Sequence, residues 1–324
     1  MIGNKKILNK LYYYIAYKFR QIFSKPKSKG KSVVVMIDGE RYHGGLTDRF
    51  RHIMSVYYFC VQHSLEFRLY YTYPCDIQKI FTPADYDWRI LKSELSYSFK
   101  DSKDVLVYSC YKSTGSSKEA EMERHQRIME KMLLNNDENY QFHVYGNCYF
   151  AESHFFNLFH ELFKPSPLLQ KKMDELLSKH SEYESVVFRF QMLLGDYYEG
   201  NFTVLNENER AFLIEKCIDK IRELHDSGYF LTQQILVTSD SSTFLEAVTK
   251  RLDYVFIIPG ENIHMEYVKK NKEDDNAFLK SFVDLLMLSK GKRITRLKTS
   301  IMYDSGFPEF SARIGNILYN KIDF

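Results

Sequence analysis

Cysteine is scarce in this sequence, and long apolar runs are lacking. The five cysteines are scattered and odd in number, and no two of them form a CxxC pair. This arrangement indicates neither a disulfide framework nor a zinc site, and it fits a reducing compartment. Because charges interrupt every apolar stretch, the chain predicts neither a membrane-spanning helix nor the core of a signal peptide. We expect a cytoplasmic protein.

Acidic residues are absent from the first 31 positions, which carry nine lysines and arginines. The rest of the chain holds 36 basic and 42 acidic residues, so an acidic body follows a basic tail. Binding to nucleic acid needs lysines and arginines clustered on a folded face to contact the phosphates. Nucleic acid is therefore not an expected partner.

The basic tail also has a helical period. Apolar side chains at spacings of three and four fall on one helix face: Leu8, Leu11, Tyr12, Ile15, Phe19, Ile22 and Phe23. The other face carries polar and charged side chains: Lys6, Lys10, Tyr13, Tyr17 and Arg20. We expect a basic amphipathic helix, peripheral at the inner face of the plasma membrane and lying among anionic headgroups. The alternative is a helix that packs on its own domain. A flexible linker would complete residues 1–31.

From Ser32 onward, strand-like and helix-like segments alternate. In the first half, the predicted strands are 33–37, 67–71, 105–109 and 141–145, and the predicted helices are 47–63, 118–134 and 151–163. In the second half, the predicted strands are 185–190, 235–239, 254–258 and 293–297, and the predicted helices are 168–179, 206–227, 242–251, 276–290 and 309–320. The alternation predicts an α/β fold of two Rossmann-like domains, residues 32–165 and 166–324, that face a cleft.

The turn after the first predicted strand is rich in glycine. Gly44 and Gly45 let backbone amides approach a ligand, and the helix that follows directs its positive end at a bound anion. Arg49 adds a fixed charge beside them, although a tight turn with surface arginines is the structural alternative. Three side chains of this segment are candidates for a general base: Asp38, His43 and Asp48.

Arg189 stands in an otherwise apolar predicted strand. A charge there is costly unless it leaves the strand end towards a partner, and a guanidinium suits bidentate phosphate binding. Arg189 is therefore the strongest single candidate for catalysis, with Gln191 and Asp196 nearby as donor-binding residues. The alternative is a buried ion pair with Asp196 or Asp240.

Asp240 follows the next strand and begins a cluster of hydroxyl groups. Its carboxylate could accept hydrogen bonds from a ribose or a base, while Ser241 and Ser242 would face phosphate. Thr243 and Glu246 have the spacing of a capping box, so starting a helix is the alternative use of these hydroxyls.

A loop near the carboxyl end of the chain forms the fourth segment of interest. Backbone amides in this loop could form a second anion-binding nest, contributed by Ser305, Gly306 and Phe307. Asp85 and Asp87 have the spacing of a metal-binding pair, but they do not follow a strand. No metal and no other cofactor are expected.

Taken in order, the four segments resemble the fucosyltransferase superfamily, in particular bacterial α-1,2-fucosyltransferase-like and nodulation-fucosyltransferase-like proteins. The similar motifs are Asp48-Arg49-Phe50-Arg51, Gly195-Asp196-Tyr197, Thr238-Ser239-Asp240-Ser241 and Ser305-Gly306-Phe307. The similarity spans residues 33–316. It departs from the family at one motif, since members often carry His-x-Arg-Arg-Gly-Asp. Here Phe188 holds the histidine position, and residues 191–194 separate Arg189 from Gly195.

The resemblance implies a GT-B fold that holds GDP-fucose in the C-terminal half and the acceptor in the N-terminal half. It implies that Arg189 contacts the donor diphosphate, that Asp240 lies near the nucleoside, and that Ser305 and Phe307 belong to a phosphate-side loop. The expected activity is metal-independent, inverting transfer of fucose to a glycan or a lipid-linked oligosaccharide in surface polysaccharide synthesis. The alternatives are a transferase for another nucleotide sugar and a silent protein that binds sugar nucleotide or glycan.

Overall fold

The computed structural model describes residues 15–28, 30–109, 115, 117–135, 139–196, 203–260 and 278–324. The chain divides into two compact units between Lys164 and Pro165. Each unit contains a parallel sheet with helices, so the α/β class predicted from the sequence is confirmed. Of the amphipathic tail, the positions before residue 15 lie outside the described residues. No helix in the described ranges is both long enough and apolar enough to cross a bilayer.

The first unit alternates strands and helices. Its described elements are α1 (residues 15–23), β1 (Ser32–Ile37), α2 (Leu46–Gln62), β2 (Glu66–Tyr71), β3 (Phe81–Pro83), β4 (Ser102–Val107), α3 (Lys118–Met129), β5 (Gln141–Gly146), α4 (Phe155–Leu162) and β6 (Phe163–Pro165). The strands β2, β1, β5 and β4 form a parallel sheet in that spatial order, and β3 pairs with β6. Strand β1 lies between β2 and β5, so the carboxyl ends of these parallel strands meet at one edge of the sheet, outside which ligands bind in open α/β sheets.

Helices cover both faces of this sheet, so β1 is buried at every position. On one face, α2 packs on β1 and β2. On the other, α1 brings Tyr17 into a cluster with side chains of β1 and β5. Aromatic rings join α2 to β3, α4 and β6 at centroid distances of 5.3–5.9 Å, through Phe50, Phe81, Phe159 and Phe163.

The second unit is a doubly wound sheet. Its described elements are α5 (Pro167–Leu177), β7 (Tyr183–Phe188), α6 (Glu207–Asp226), β8 (Gln234–Ser239), α7 (Ser242–Thr249), β9 (Val255–Phe256), α8 (Leu279–Lys290), β10 (Arg293–Lys298), α9 (Phe307–Gly315) and β11 (Leu318–Asp323). The parallel strands have the order β11, β10, β7, β8, β9. The central strand β7 is buried throughout, and the order reverses between β7 and β10.

Two sequence predictions for this unit need correction. The strand predicted at 185–190 ends at Phe188, so Arg189 lies just beyond β7 and not inside it. The helix predicted at 309–320 is wrong beyond Gly315, because Asn316 adopts a left-handed conformation with φ 51° and the chain continues as β11. Gly315 lies so close to the Ser289 carbonyl of α8 that a Cβ would meet its oxygen at 2.3 Å.

Candidate functional site

The first candidate region is the turn between β1 and α2, at the carboxyl end of β1 in the first sheet. Asp38 follows β1, and its Oδ2 accepts a hydrogen bond of 3.0 Å from the hydroxyl of Tyr145, which belongs to the neighbouring strand β5. Its Oδ1 accepts the backbone N–H of Glu40 at 2.9 Å and lies 3.7 Å from Nε2 of His43. Asp38 and His43 are therefore held side by side in a mostly buried setting.

Opposing influences act on the Asp38 carboxyl group. Burial alone would raise its pKa, but the contact with His43 and the hydrogen bonds from Glu40 and Tyr145 outweigh burial and lower the pKa. The His43 ring accepts a hydrogen bond of 3.0 Å from the Gly39 N–H at Nε2, so that nitrogen is an acceptor while the ring is neutral. The turn thus holds a stable carboxylate beside an imidazole.

Gly44 and Gly45 shape the end of this turn. Gly44 has φ +69°, and a Cβ there would lie 2.9 Å from both Cβ and Oδ2 of Asp48. A side chain at position 44 would therefore strain the backbone and collide with α2. Gly45 is the N-cap residue of α2 and supplies no side-chain cap. Asp48, the third base candidate, is partly exposed in the first turn of α2.

Arg49 is turned into the protein and is only 1% exposed. Its Nε donates to the Gly44 carbonyl at 3.0 Å, and an Nη donates to the Tyr73 carbonyl at 2.6 Å and the Tyr71 hydroxyl at 3.2 Å. The guanidinium also lies over both tyrosine rings. These contacts tie the glycine turn to the end of β2, so Arg49 positions the turn.

In the second unit, Arg189 and Asp240 lie together at the carboxyl ends of β7 and β8. An Nη of Arg189 lies 3.3 Å from Oδ2 of Asp240, and the arginine side chain is 23% exposed. The carboxylate also accepts the backbone N–H groups of Phe190 at 2.8 Å and Gln191 at 2.7 Å. The ion pair considered as an alternative is present, yet the guanidinium remains partly open to solvent.

This arrangement buries the carboxyl group of Asp240 and strains the backbone at Gln191. Burial raises the pKa of Asp240, although Arg189 and the two amide N–H groups oppose the shift. Gln191 has φ +54°, a left-handed conformation that side chains other than glycine seldom adopt. Strained backbone of this kind is frequent at ligand-binding sites, where the surrounding structure enforces it.

The hydroxyl cluster after β8 starts α7, and its cap differs from the sequence prediction. The N-cap residue is Ser241, whose Oγ accepts the Phe244 N–H at 3.0 Å. Asp196 supplies a second cap, because its Oδ1 accepts the Thr243 N–H at 3.0 Å and the hydroxyls of Thr243 and Ser242 at 2.7 and 3.2 Å. A capping box begun by Thr243 is therefore wrong. The loop after β7 is fastened to the start of α7.

The loop between β10 and α9 meets the same sheet edge. Its Tyr303 N–H donates to the Arg189 carbonyl at 3.2 Å, which holds the loop against the end of β7. Ser305 accepts the Phe307 N–H at 3.2 Å, and Gly306 is the N-cap residue of α9. Three loops of the second unit, after β7, β8 and β10, are thus joined around Arg189, where a bound anion would meet positive charge.

No group of metal-binding side chains occurs in the part of the chain that the structure describes. Asp87 instead pairs with Arg89 at 2.8 Å, and hydrogen bonds from Arg89 lower its pKa to about 2. Sequence reasoning missed Tyr145, because its role depends on β5 lying beside β1. A tyrosine near the end of a buried strand was the available signal.

Neither a family model nor a curated protein matches this chain. Solved structures do. The NodZ α-1,6-fucosyltransferase soaked with GDP-fucose is 11% identical, with a TM-score of 0.55 over 88% of this chain and 93% of that one. NodZ from Bradyrhizobium is 12% identical, with a TM-score of 0.53 over 88% and 92%. A variant of Arabidopsis thaliana FUT1 in complex with GDP is 11% identical, with a TM-score of 0.54 over 98% and 78%. The resemblance stated from four short segments is confirmed at the level of fold: this chain has the α/β fold of the fucosyltransferases.

Proposed function

We propose that this chain is a glycosyltransferase that transfers fucose from GDP-fucose to a glycan acceptor. The observation that carries the proposal is Arg189, a partly exposed guanidinium at the reversal point of the second sheet. Open α/β sheets bind nucleotides at this position, and a guanidinium matches the geometry of phosphate oxygens. The fold likeness to NodZ, soaked with GDP-fucose, and to the FUT1 variant in complex with GDP supports this donor.

The proposed chemistry is a direct displacement. The acceptor oxygen forms a bond to C1 of fucose as the bond from C1 to the β-phosphate oxygen breaks, which inverts the configuration at C1. The electron pair of the broken bond stays on GDP, so negative charge grows on the diphosphate. Arg189 and the amides of the loop that contains Ser305 would stabilise this charge without a metal ion.

The acceptor hydroxyl must release its proton during this step. We propose that a base of the first unit receives it, and the candidates are Asp38, His43 and Asp48. Asp38 and His43 are supported by their mutual contact at the carboxyl end of β1, where Oδ1 of Asp38 lies 3.7 Å from Nε2 of His43. Asp48 is supported by its partial exposure to solvent in the first turn of α2.

A glycan or a lipid-linked oligosaccharide of surface polysaccharide synthesis is the proposed acceptor. The basic amphipathic tail supports this choice, since attachment to the inner face of the plasma membrane would concentrate the enzyme where such acceptors are made. The same argument gives the proposed location, a cytoplasmic enzyme peripheral to that membrane.

A second candidate function is binding of a sugar nucleotide without transfer, or transfer of a different sugar. The departure at the arginine motif favours it, because no histidine stands in residues 186–188 before Arg189 and residues 191–194 form a turn between Arg189 and Gly195. Asp240 accepts the backbone N–H groups of Phe190 and Gln191, which would otherwise be available to a phosphate.

Donor turnover by wild-type protein and by Arg189→Ala tests the proposal. GDP-fucose, other GDP-sugars, UDP-sugars and dTDP-sugars are supplied with and without glycan acceptors, and release of the nucleotide is measured. We expect turnover of GDP-fucose and a loss of roughly 100-fold to 1000-fold in Arg189→Ala, because one preorganised charge partner is removed.

Arg222→Ala is the matched control, since Arg222 lies on α6 of the same unit and pairs only with an exposed Asp219 in the described residues. It should keep the wild-type rate. Equal rates for Arg189→Ala and wild type would refute the role of Arg189. Tight binding of GDP-fucose without turnover would select the second candidate function.

A further inference from the structure

The helix α1 is attached to the first unit by its polar face. Tyr17 is 5% exposed, and its hydroxyl lies 3.0 Å from Nδ1 of the buried His143 on β5. One turn later, Gln21 donates to the Ser102 carbonyl at 3.2 Å and accepts the Phe99 N–H at its own carbonyl. This reverses the usual amphipathic arrangement, in which the apolar stripe faces the core.

The apolar face of α1 consequently points outward. The ring centroids of Phe19 and Phe23 lie 6.2 Å apart in a stacked pair, and these side chains are 58% and 78% exposed. Ile15 and Ile22 lie on the same face and are also exposed. Phe99 adds an exposed ring beside Gln21. We call these residues the α1 apolar surface: Ile15, Phe19, Ile22, Phe23 and Phe99.

Basic side chains surround the α1 apolar surface. Lys18 and Arg20 lie on either side of the stripe and pair with Asp104 and Glu40. Further basic side chains, all exposed, follow the helix or neighbour Phe99: Lys25, Lys27 and Lys100. Within the described ranges these three lysines form no ion pair, and Lys27 Nζ donates to the Ser93 carbonyl at 3.3 Å. Their charges are not neutralised by a carboxylate there and can attract a negatively charged partner.

We propose that the α1 apolar surface inserts into the interface of an anionic lipid bilayer. Contiguous exposed apolar patches are uncommon on soluble proteins and mark interaction sites. Phenylalanine and isoleucine on one helix face, ringed by lysine, match the apolar body and the negative headgroups of such a membrane. The lysine ring is the reason for choosing lipid over a second copy of this chain, whose like-charged surface would be repelled.

The buried face of α1 also contacts the candidate site of the same unit. The Tyr17 ring packs edge-on against Tyr145 at 6.4 Å, and Tyr145 donates to Asp38. The buried face of α1 is thus connected to the Asp38 turn through Tyr17 and Tyr145. This inference deepens the location assigned under the proposed function, and lipid binding itself needs no donor.

Flotation of the full chain with vesicles tests the proposal. Vesicles of phosphatidylcholine alone are compared with vesicles that also contain phosphatidylglycerol, for wild type and for the double variant Phe19→Ser/Phe23→Ser. We expect wild type to float only with anionic vesicles. The double variant should bind more than about tenfold more weakly, because two rings no longer enter the interface. The variant Lys25→Gln/Lys27→Gln should lose about fivefold in affinity for anionic vesicles per lysine replaced.

Phe212→Ser is the matched control, because Phe212 is similarly exposed on α6 of the second unit. It should float like wild type. The proposal would be overturned if wild-type protein did not float with anionic vesicles, or if the double variant bound them as well as wild type. A dimer of wild type that the double variant dissociates, measured by light scattering, would also overturn it. Hydrolysis of GDP-fucose without vesicles should be unchanged in the double variant, so failure of lipid binding and failure of the transferase function are separable.

Discussion

The two units each place an arginine near the carboxyl end of their central strand, and they use it in different ways. Arg49 in the first unit is buried and donates to two backbone carbonyls and a tyrosine hydroxyl. Arg189 in the second unit is partly exposed and faces one carboxylate. The same residue type at comparable positions therefore builds a turn in one unit and presents charge in the other. The two roles differ because two backbone carbonyls accept hydrogen bonds from the guanidinium of Arg49, whereas the guanidinium of Arg189 faces a carboxylate.

Replacing each arginine by alanine should separate these roles most strongly. Arg49→Ala leaves the carbonyls of Gly44 and Tyr73 without their buried donor, so we expect it to lower the free energy of unfolding by roughly 3–5 kcal/mol. Arg189→Ala should cost only about 1 kcal/mol, because Asp240 keeps two amide hydrogen bonds. Urea unfolding of the full chain, followed by fluorescence and circular dichroism, measures both values.

Equal destabilisation by the two variants would contradict this difference. Arg68→Ala provides the baseline for a surface arginine of the first unit, since Arg68 pairs with the exposed Glu66 at the start of β2 and donates to the Asp87 carbonyl at an exposed position. It should change the free energy of unfolding by less than about 1 kcal/mol.

The sequence predicts the architecture well where burial is continuous. The apolar runs of β1 and β7 are fully buried strands, as expected, because parallel strands covered on both faces need no polar alternation. β11 was missed because it lies at the sheet edge, where its alternating polar residues carry no strong signal. The two-stranded pairing of β3 with β6 joins distant segments and was not predicted either.

The candidate sites show a different limit of sequence reasoning. Periodicity identified the two faces of α1, but only the partners of Tyr17 and Gln21 decide which face meets the protein. Likewise, the charge of Arg49 was evident from the sequence, whereas its burial depends on Tyr71 and Tyr73 at the end of β2. Local patterns specify which chemistry is available, and long-range contacts specify where it is used.

Glycine substitution tests the tightness of the first turn. Gly44→Ala must adopt φ +69° and place its Cβ 2.9 Å from Asp48, so we expect a loss of roughly 2–4 kcal/mol in the free energy of unfolding. Gly228→Ala has a similar φ of +73° but no atom within 4 Å of its new Cβ, and should lose only about 1 kcal/mol. Urea unfolding of both variants gives the comparison. If they were equally destabilised, the contact with Asp48 would have no energetic weight.

The smallest expected difference concerns the pH dependence of the two buried carboxylates. The pKa of Asp38 is lowered, so its contribution to stability is complete above the ordinary value of 3.8 and is lost as the pH falls through the folded-state pKa. The pKa of Asp240 is raised by burial, so its contribution is complete below 3.8 and is lost as the pH rises through the raised value.

The test is the free energy of unfolding of wild type minus that of each Asn variant, measured against pH. For Asp38→Asn this difference should increase with pH in the acidic range. Wild type minus Asp240→Asn should decrease above 3.8, because the ionised side chain is the disfavoured form in that setting. A difference for Asp240→Asn that stays constant with pH would show that Arg189 and the two amides fully compensate the burial of Asp240.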